Sequence, residues 1–186
     1  MQTLHIAVGV LIDAQGRALI AERRVGTAGA GKWEFPGGKR VSGETIEQAL
    51  ARELDEELGV QTGKLRPMLR FQHDYTARRV LLDILQVLDW TGEAYGREGQ
   101  TLVWCEPEQL LSYDLLSANK PIVDAIRLPA TYVITPEPES NKSGFLRTAK
   151  AAAEAGERLF RLRAWNLSDQ AYEALASDLV KMLNGY

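Results

Sequence analysis

Hydrophobic and polar positions alternate along Leu4–Ile12, with Leu4, Ile6, Val8 and Val10 on one face, which predicts a β-strand. Asp13-Ala14-Gln15-Gly16 has hairpin-turn chemistry, and Ala18-Leu19-Ile20-Ala21 reads as the returning strand. A small-residue loop, Gly26 to Lys32, leads to Trp33-Glu34-Phe35-Pro36-Gly37-Gly38. The last three residues force a sharp turn, and their glycines let backbone approach a ligand or ion. The period then changes. Ile46, Leu50, Leu54 and Leu58 recur at every fourth position, the stripe of a helix. Thr45 is the expected N-cap, Gln48 completes a capping box, and Gly59 is the expected stop. Residues 61–69 read as β, 71–79 as polar and aromatic, and Val80–Leu88 as a mostly buried strand. Gly92–Gln100 reads as an exposed loop and Thr101–Cys105 as a strand. A short helix is predicted near Pro107 and a final one over Ile122–Leu128, with Pro121 in its first turn.

Beyond Leu128 the pattern becomes strand, helix, strand, helix: Thr131–Pro136, Phe145–Glu157, Leu159–Ala164, and Asp169–Leu183 capped by Ser168. The order predicts the opening of a parallel α/β unit. PEPESNKSG forms its first loop. From residue 129 onward seven basic and seven acidic residues balance, so this is neither an acidic nor a basic tail.

The 186 residues allow one large domain, or one domain and a fragment, and 45% hydrophobic content suffices for a packed core. Net charge is −3 with no basic run, which excludes the electrostatics of duplex nucleic-acid binding. A polyanionic ligand would have to be met by local cations and metal. Cys105 is the only cysteine, so no internal disulfide forms, as in a reducing cytosol. No signal pattern and no bilayer-spanning apolar run is evident, so a cytoplasmic protein without membrane contact is expected.

The helix over 46–58 carries the candidate chemistry. Asp55 and Gln48 fall opposite the apolar stripe, whereas Glu53 and Glu57 lie within or beside it and Glu56 sits close to Ala49. Carboxylates four apart repel by about 0.2–0.5 kcal/mol per pair. Glu56 and Glu57 also occupy the last turn, where the dipole favours cations. One reading is a solvated acidic face with Arg52 as its ion-pair partner. The other, favoured by the helix phase and the glycine loop, is a divalent cation held by hard oxygens, Mg²⁺ or Mn²⁺ rather than zinc. His73 stands alone and reads as a satisfied or exposed histidine. Phe35 is either core or packed on a base.

Gly38, five residues, Glu44, seven residues, then Arg52-Glu53-Leu54-Asp55-Glu56-Glu57-Leu58-Gly59-Val60 satisfies the Nudix box, G-x5-E-x7-R-E-U-x-E-E-x-G-U, where U is a bulky aliphatic. The chain thus resembles the Nudix hydrolases. The resemblance implies an α/β/α sandwich with a mixed sheet, and a Mg²⁺-dependent hydrolase of nucleoside diphosphates linked to another moiety. The order IAVGVLI, Arg23, WEFPGGK, the box, GREGQ, Trp104 and Ala118-Asn119-Lys120-Pro121 is similar to the MutT-like branch, and covers residues 1–128. For that branch the implied reaction is hydrolysis of 8-oxo-dGTP, and related purine triphosphates, to the monophosphate and pyrophosphate, which sanitises the nucleotide pool.

Carried over residue by residue, the implied metal ligands are Gly37, Glu53, Glu56, Glu57 and Glu98. The implied substrate contacts are Arg23, Glu34, Phe35, Pro36, Gly37, Lys39, Arg78 and Asn119, the last reading the oxidised base through its amide. Glu53 is the first choice for general base and Glu98 the second, with Glu44 and Arg52 organising the box. Ala28 stands in the loop where that branch carries a histidine, and residues 71–79 match loosely. The alternatives are hydrolysis of another nucleotide, or a non-catalytic nucleotide-sensing or interaction module. Residues 129–186 resemble the first two βα units of thiamine-phosphate synthase, about a quarter of a TIM barrel, through YVITP, the helix and Leu162-Arg163. Arg161 stands where that family often has glutamine. With the far phosphate loops missing, no synthase activity is expected. Open strand edges there imply self-association, docking on the Nudix part or a partner, or a truncated chain.

Overall fold

Strand β1 (Thr3–Leu11) is buried on both faces, so alternation places its side chains in two separate cores. Leu4, Ile6, Val8 and Val10 enter one, and Ala7 and Leu11 the other. The chain, a computed structural model describing residues 3–76, 78–129, 131–138 and 141–186, divides into two compact units, Met1–Arg127 and Leu128–Tyr186.

In the first unit, β1 is followed by β2 (Ala18–Glu22), β3 (Trp33–Glu34), β4 (Gly37–Lys39) and helix α1 (Ile46–Leu58). Then come β5 (Gln61–Thr62), β6 (Leu65–Tyr75), β7 (Arg78–Val87), β8 (Trp90–Thr91), β9 (Leu102–Cys105) and helix α2 (Lys120–Arg127). The main sheet is mixed, in the order β4-β1-β7-β6, with β1 and β7 parallel and the other pairs antiparallel. A second sheet, β3-β2-β9, is antiparallel, and β5 pairs with β8. The turn at Asp13 forms as its sequence implies: the Asp13 carboxylate accepts from the Gln15 and Arg17 backbone N–H groups.

Helix α1 seals one core. Its Leu50, Leu54 and Leu58 are fully buried with Leu11, Leu19 and Leu85. Each contributes about 1.5–3 kcal/mol of transfer free energy. Gly9 allows the close approach of helix to sheet, since a Cβ there would sit 3.2 Å from both Leu50 Cδ1 and Leu54 Cδ1. The Thr45–Gln48 capping box is present in both directions. At the other end Gly59 turns left-handed at φ 71°; its N–H reaches the Asp55 carbonyl at 3.0 Å, and the Val60 N–H reaches Leu54 at 3.2 Å. That is a Schellman stop, closed by contact between buried Val60 and Leu54. On the opposite face, Ile122 and Val123 of α2 pack with Val8, Ile20, Phe35 and Ile84. The unit is therefore an α/β/α sandwich.

Several elements differ from the sequence expectation, among them Gly37–Lys39, whose glycines were expected in a sharp turn and which is strand β4. β6 continues to Tyr75, through the stretch read as polar and aromatic, because Phe71, His73 and Tyr75 alternate inward while pairing with Leu82, Val80 and Arg78. The helix expected near Pro107 is a single 3₁₀ turn, Leu110–Ser112, pinned by buried Leu110. Of the residues read at sequence level, Ala77, Glu139 and Ser140 lie outside those described.

The second unit contains β10 (Val133–Ile134), α3 (Lys142–Glu154), β11 (Phe160–Arg161) and α4 (Asp169–Leu183). β10 and β11 are parallel, as a β-α-β unit requires. Ser168 caps α4, and Phe145, Ala149, Leu175 and Leu179 form a small core.

Candidate active site

The centre of the site is Arg52. Its guanidinium pairs with Glu44 at 2.7 Å, Glu53 at 2.9 Å and Glu56 at 3.1 Å, and donates to the Lys39 carbonyl at 3.0 Å. It thereby locks α1 to the end of β4. These carboxylates, Glu44 first, hold its proton far more tightly than usual. In return the Arg52 hydrogen bond, helped by the Val41 N–H, depresses Glu44 below the ordinary carboxylate range. Arg52 is an ion-pair partner, and the remaining carboxylates carry charge it does not neutralise.

Glu57 faces that surplus. Burial first, then Glu53, Glu34 and Glu98, push its carboxyl up to about 8, against a backbone hydrogen bond from Gly37. A cavity of about 140 Å³ opens here, lined by Glu34, Glu57, Glu98, Arg23 and Arg24. Glu98 comes from the loop after β8, and that loop is sewn to the C-terminal end of α1. The Arg97 N–H and Gln100 Nε2 both donate to the Glu57 carbonyl, at 2.9 and 3.0 Å, and Arg97 Nη1 reaches the Asp55 carbonyl at 2.7 Å. The last turn of α1 has no basic residue of its own, so Arg97 supplies the cation that its dipole favours. Composition alone gave no sign of Arg97 or Gln100 in this role.

The expected metal set of Gly37, Glu53, Glu56, Glu57 and Glu98 is gathered at one end of α1 but not converged. Among the described residues, no three acidic, histidine or cysteine side chains are grouped to hold an ion. The reason is electrostatic: like charges part and take arginine partners, Glu56 with Arg52 and Glu98 with Arg24 at 2.7 Å. The donors nevertheless fit a divalent cation. All are hard oxygens, and the raised Glu57 marks negative charge that a cation would neutralise.

The glycines are required by packing. Gly37 has φ 140°, and a Cβ there would lie 2.2 Å from the Ala7 carbonyl oxygen. The Pro36 carbonyl accepts from the Gly9 N–H at 2.8 Å, docking this segment on β1.

Beyond the Arg23–Glu34 ion pair lies a slot of about 260 Å³, walled by Val8, Phe35, Val80, Leu82 and Ala118 with Asn119 at its base. It continues into an open pocket of about 610 Å³ past Tyr75, Arg78 and Leu116. Asn119 is 6% exposed; its Oδ1 accepts the Phe35 N–H at 3.2 Å, which fixes the amide's orientation. Phe35 is core, the first of its two readings, although one edge borders the slot. Arg23 is engaged by Glu34 and by the Ala28 carbonyl, whereas Arg78 has no carboxylate partner among the described residues. Lys39 is exposed at the rim. Burial raises Glu34 despite Arg23, and burial and Glu34 raise Tyr75. Tyr75 lines both pockets and was missed in the sequence; the period-2 spacing of Phe71, His73 and Tyr75 was the available signal.

Carboxylates at a helix end, beside a slot bordered by arginine and lysine, suit hydrolysis of a phosphorylated small molecule. The NUDIX domain model matches residues 7–125. The CTP pyrophosphohydrolase of Escherichia coli is 38% identical over 118 residues, covering 63% of this chain and 87% of the relative. The 8-oxo-dGTP diphosphatase of the same organism is 35% identical over 127 residues, covering 68% and 98%. Among solved structures, a MutT from work on Aliivibrio salmonicida and Vibrio cholerae aligns with TM-score 0.60 and 32% identity, covering 67% of this chain and 97% of that one. The E. coli ORF135 protein aligns with TM-score 0.60 and 35% identity, covering 67% and 89%. The chain belongs to the NUDIX domain family and is a Nudix hydrolase. No described helix is long and apolar enough to cross a membrane.

Proposed function

We propose that this Nudix hydrolase converts 8-oxo-dGTP to 8-oxo-dGMP and pyrophosphate. The observation that carries the reading is the adjacency of a carboxylate cavity and a purine-sized slot, with Arg23 and Glu34 lining both and Asn119 at the base of the slot. With Oδ1 tied to the Phe35 N–H, the Asn119 amide keeps an N–H and a lone pair for a base that bears adjacent C=O and N–H groups. Relatives that carry the 8-oxo-dGTP diphosphatase name add support.

Mg²⁺, with Mn²⁺ able to substitute, would be held by Glu53, Glu56, Glu57, Glu98 and the Gly37 backbone. When bound, it lowers the pKa of a water and neutralises phosphate charge. Glu53 acts as general base and takes the proton of the attacking water, with Glu98 the second candidate. Attack on the β-phosphorus breaks its bond to the bridging oxygen, which leaves with the nucleoside monophosphate. Arg23, Arg78 and Lys39 meet the anionic substrate at the slot rim. Arg52 and Glu44 hold the helix and Glu53 in place. The backbone of Glu34–Gly37 forms the wall between base and phosphates.

The second reading is a pyrimidine triphosphate substrate, favoured by the similarity to CTP pyrophosphohydrolase. Turnover of 8-oxo-dGTP, dGTP and CTP side by side with Mg²⁺, at low substrate, with monophosphate and pyrophosphate quantified, separates the two. A strong preference for the oxidised nucleotide supports the first reading. Preference for CTP, or equal slow turnover, overturns it. No turnover with either Mg²⁺ or Mn²⁺ favours a binding module.

We infer that residues 129–186 are a partial βα-barrel-like unit, a reading supported by the β-α-β-α order and the parallel pairing of β10 with β11. It would serve self-association or docking rather than synthase chemistry.

A further inference from the structure

The two walls of the base slot come from distant parts of the chain. One is the main sheet, where Tyr75 of β6 and Val80 and Leu82 of β7 face the slot. The other is the single 3₁₀ turn Ser117–Asn119, which bears the base-reading amide. That turn is tethered firmly on the β3 side: the Leu116 N–H donates to the Trp33 carbonyl at 2.9 Å, and Asn119 Oδ1 accepts from Phe35. On the sheet side, His73 Nε2 and Ser117 Oγ share a hydrogen bond at 2.9 Å across 44 residues of sequence, beside a contact of the Tyr75 hydroxyl with the Ala118 backbone. The His73 ring is itself held edge-on against Tyr75, with centroids 4.6 Å apart. His73 lines neither pocket, whereas its partner Ser117 borders the larger one.

We propose that His73 is a positioning residue that clamps the turn to β6, and so sets the distance between Asn119 and the sheet wall that together discriminate an oxidised from an unmodified purine. The inference rests on Asn119 as the base reader. Its physical basis is that a two-point amide contact is productive only within a few tenths of an ångström. Without the His73 bond, buried Ala118 and its Tyr75 contact still hold the middle of the turn, but its Ser117 end loosens from β6 and the amide two residues on loses its exact placement. Donor–acceptor pairing of the base edge, which separates the two substrates, weakens first; the carboxylate cavity, built on α1 and the loop after β8, is untouched.

The test is kcat and KM for 8-oxo-dGTP and dGTP, with Mg²⁺, in the full chain and in H73A, S117A, H73A/S117A, H73Q and N119A. The expected result is a KM for 8-oxo-dGTP raised roughly 3- to 10-fold in each of H73A and S117A, as for loss of one hydrogen bond. kcat is held, and the preference over dGTP shrinks by the same factor. The double variant matches the singles, because both remove one contact. H73Q, whose amide can donate to or accept from the Ser117 hydroxyl, recovers most of the preference. Additive losses in the double variant, a fall in kcat with the preference intact, or no recovery in H73Q overturns the clamp. If N119A collapses the preference and the His73 and Ser117 variants do not, the clamp alone falls. If N119A leaves the preference unchanged, Asn119 is not the reader and the clamp falls with it.

Discussion

The Glu53 carboxylate occupies the space that a side chain on Gly38 would fill: a Cβ at Gly38 would come within 2.3 Å of Glu53 Cδ. The glycine is there for its missing side chain, since its backbone is not left-handed. The first prediction follows. Gly38→Ala displaces the flexible end of Glu53 at little cost in stability, and kcat falls at least about tenfold, a fraction of the roughly 10²–10⁴ lost on removing a general base. Gly37→Ala behaves differently, because its Cβ meets the rigid Ala7 carbonyl and φ is positive. It lowers the melting temperature as well as activity. Thermal melts beside turnover separate the two; a Gly38→Ala enzyme with wild-type kcat would falsify the assignment of Glu53.

Glu57 lies among Glu53, Glu34 and Glu98 with more negative charge than Arg52 neutralises. Adding Mg²⁺ or Mn²⁺ at neutral pH therefore raises the melting temperature, with about 2.7 kcal/mol of linkage at a hundredfold excess over Kd. Glu57→Gln raises the melting temperature of the metal-free protein and abolishes most of the rise on metal addition. An unchanged response to metal in Glu57→Gln would remove Glu57 from the ligand set.

Glu44 is held below its ordinary value of 4.5 by Arg52 and the Val41 N–H. A carboxylate depressed on folding contributes stability that is complete above its unfolded pKa and disappears as pH falls through the folded one. The Glu44→Gln protein is consequently less stable than wild type at pH 7, and the two converge as pH falls below the ordinary carboxylate range. Melting temperature across pH 3–7 measures this. Parallel curves would mean that the Glu44–Arg52 pair does not depend on Glu44 being ionised.

Leu54 is fully buried, sits where a side chain on Gly9 of β1 would press, and closes the Schellman stop at Val60. Leu54→Ala leaves a cavity between helix and sheet, costing about 2–5 kcal/mol in denaturant unfolding. A cost under 1 kcal/mol would mean that α1 relaxes onto the sheet and does not hold a fixed position.

Much of α1 was legible in the sequence because its determinants are local. The Thr45–Gln48 box, the every-fourth-residue stripe and the Gly59 stop are each set within four residues, and chain order alone fixes which side chains share a helical face. The spacing from Gly38 to Val60 likewise announced the chemistry. Period-2 alternation gave β1, and the parallel pairing of β10 and β11 followed from the helix between them. The continuation of β6 to Tyr75 was hidden by its polar outer residues, which resemble a loop until the partner strand is known.

Only the tertiary structure decided which charges meet. Glu98 joins the site because Arg97 and Gln100 bond the end of a helix some 40 residues earlier; Phe35 donates to Asn119 across 84 residues, and His73 reaches Ser117 across 44. Hydrogen bonds and ion pairs depend on distance in space and leave no periodic trace along the chain. For the same reason, the sequence could name the carboxylates of this Nudix hydrolase, but not that Arg52 would claim Glu44, Glu53 and Glu56 together and leave Glu57 facing the unneutralised charge of its neighbours.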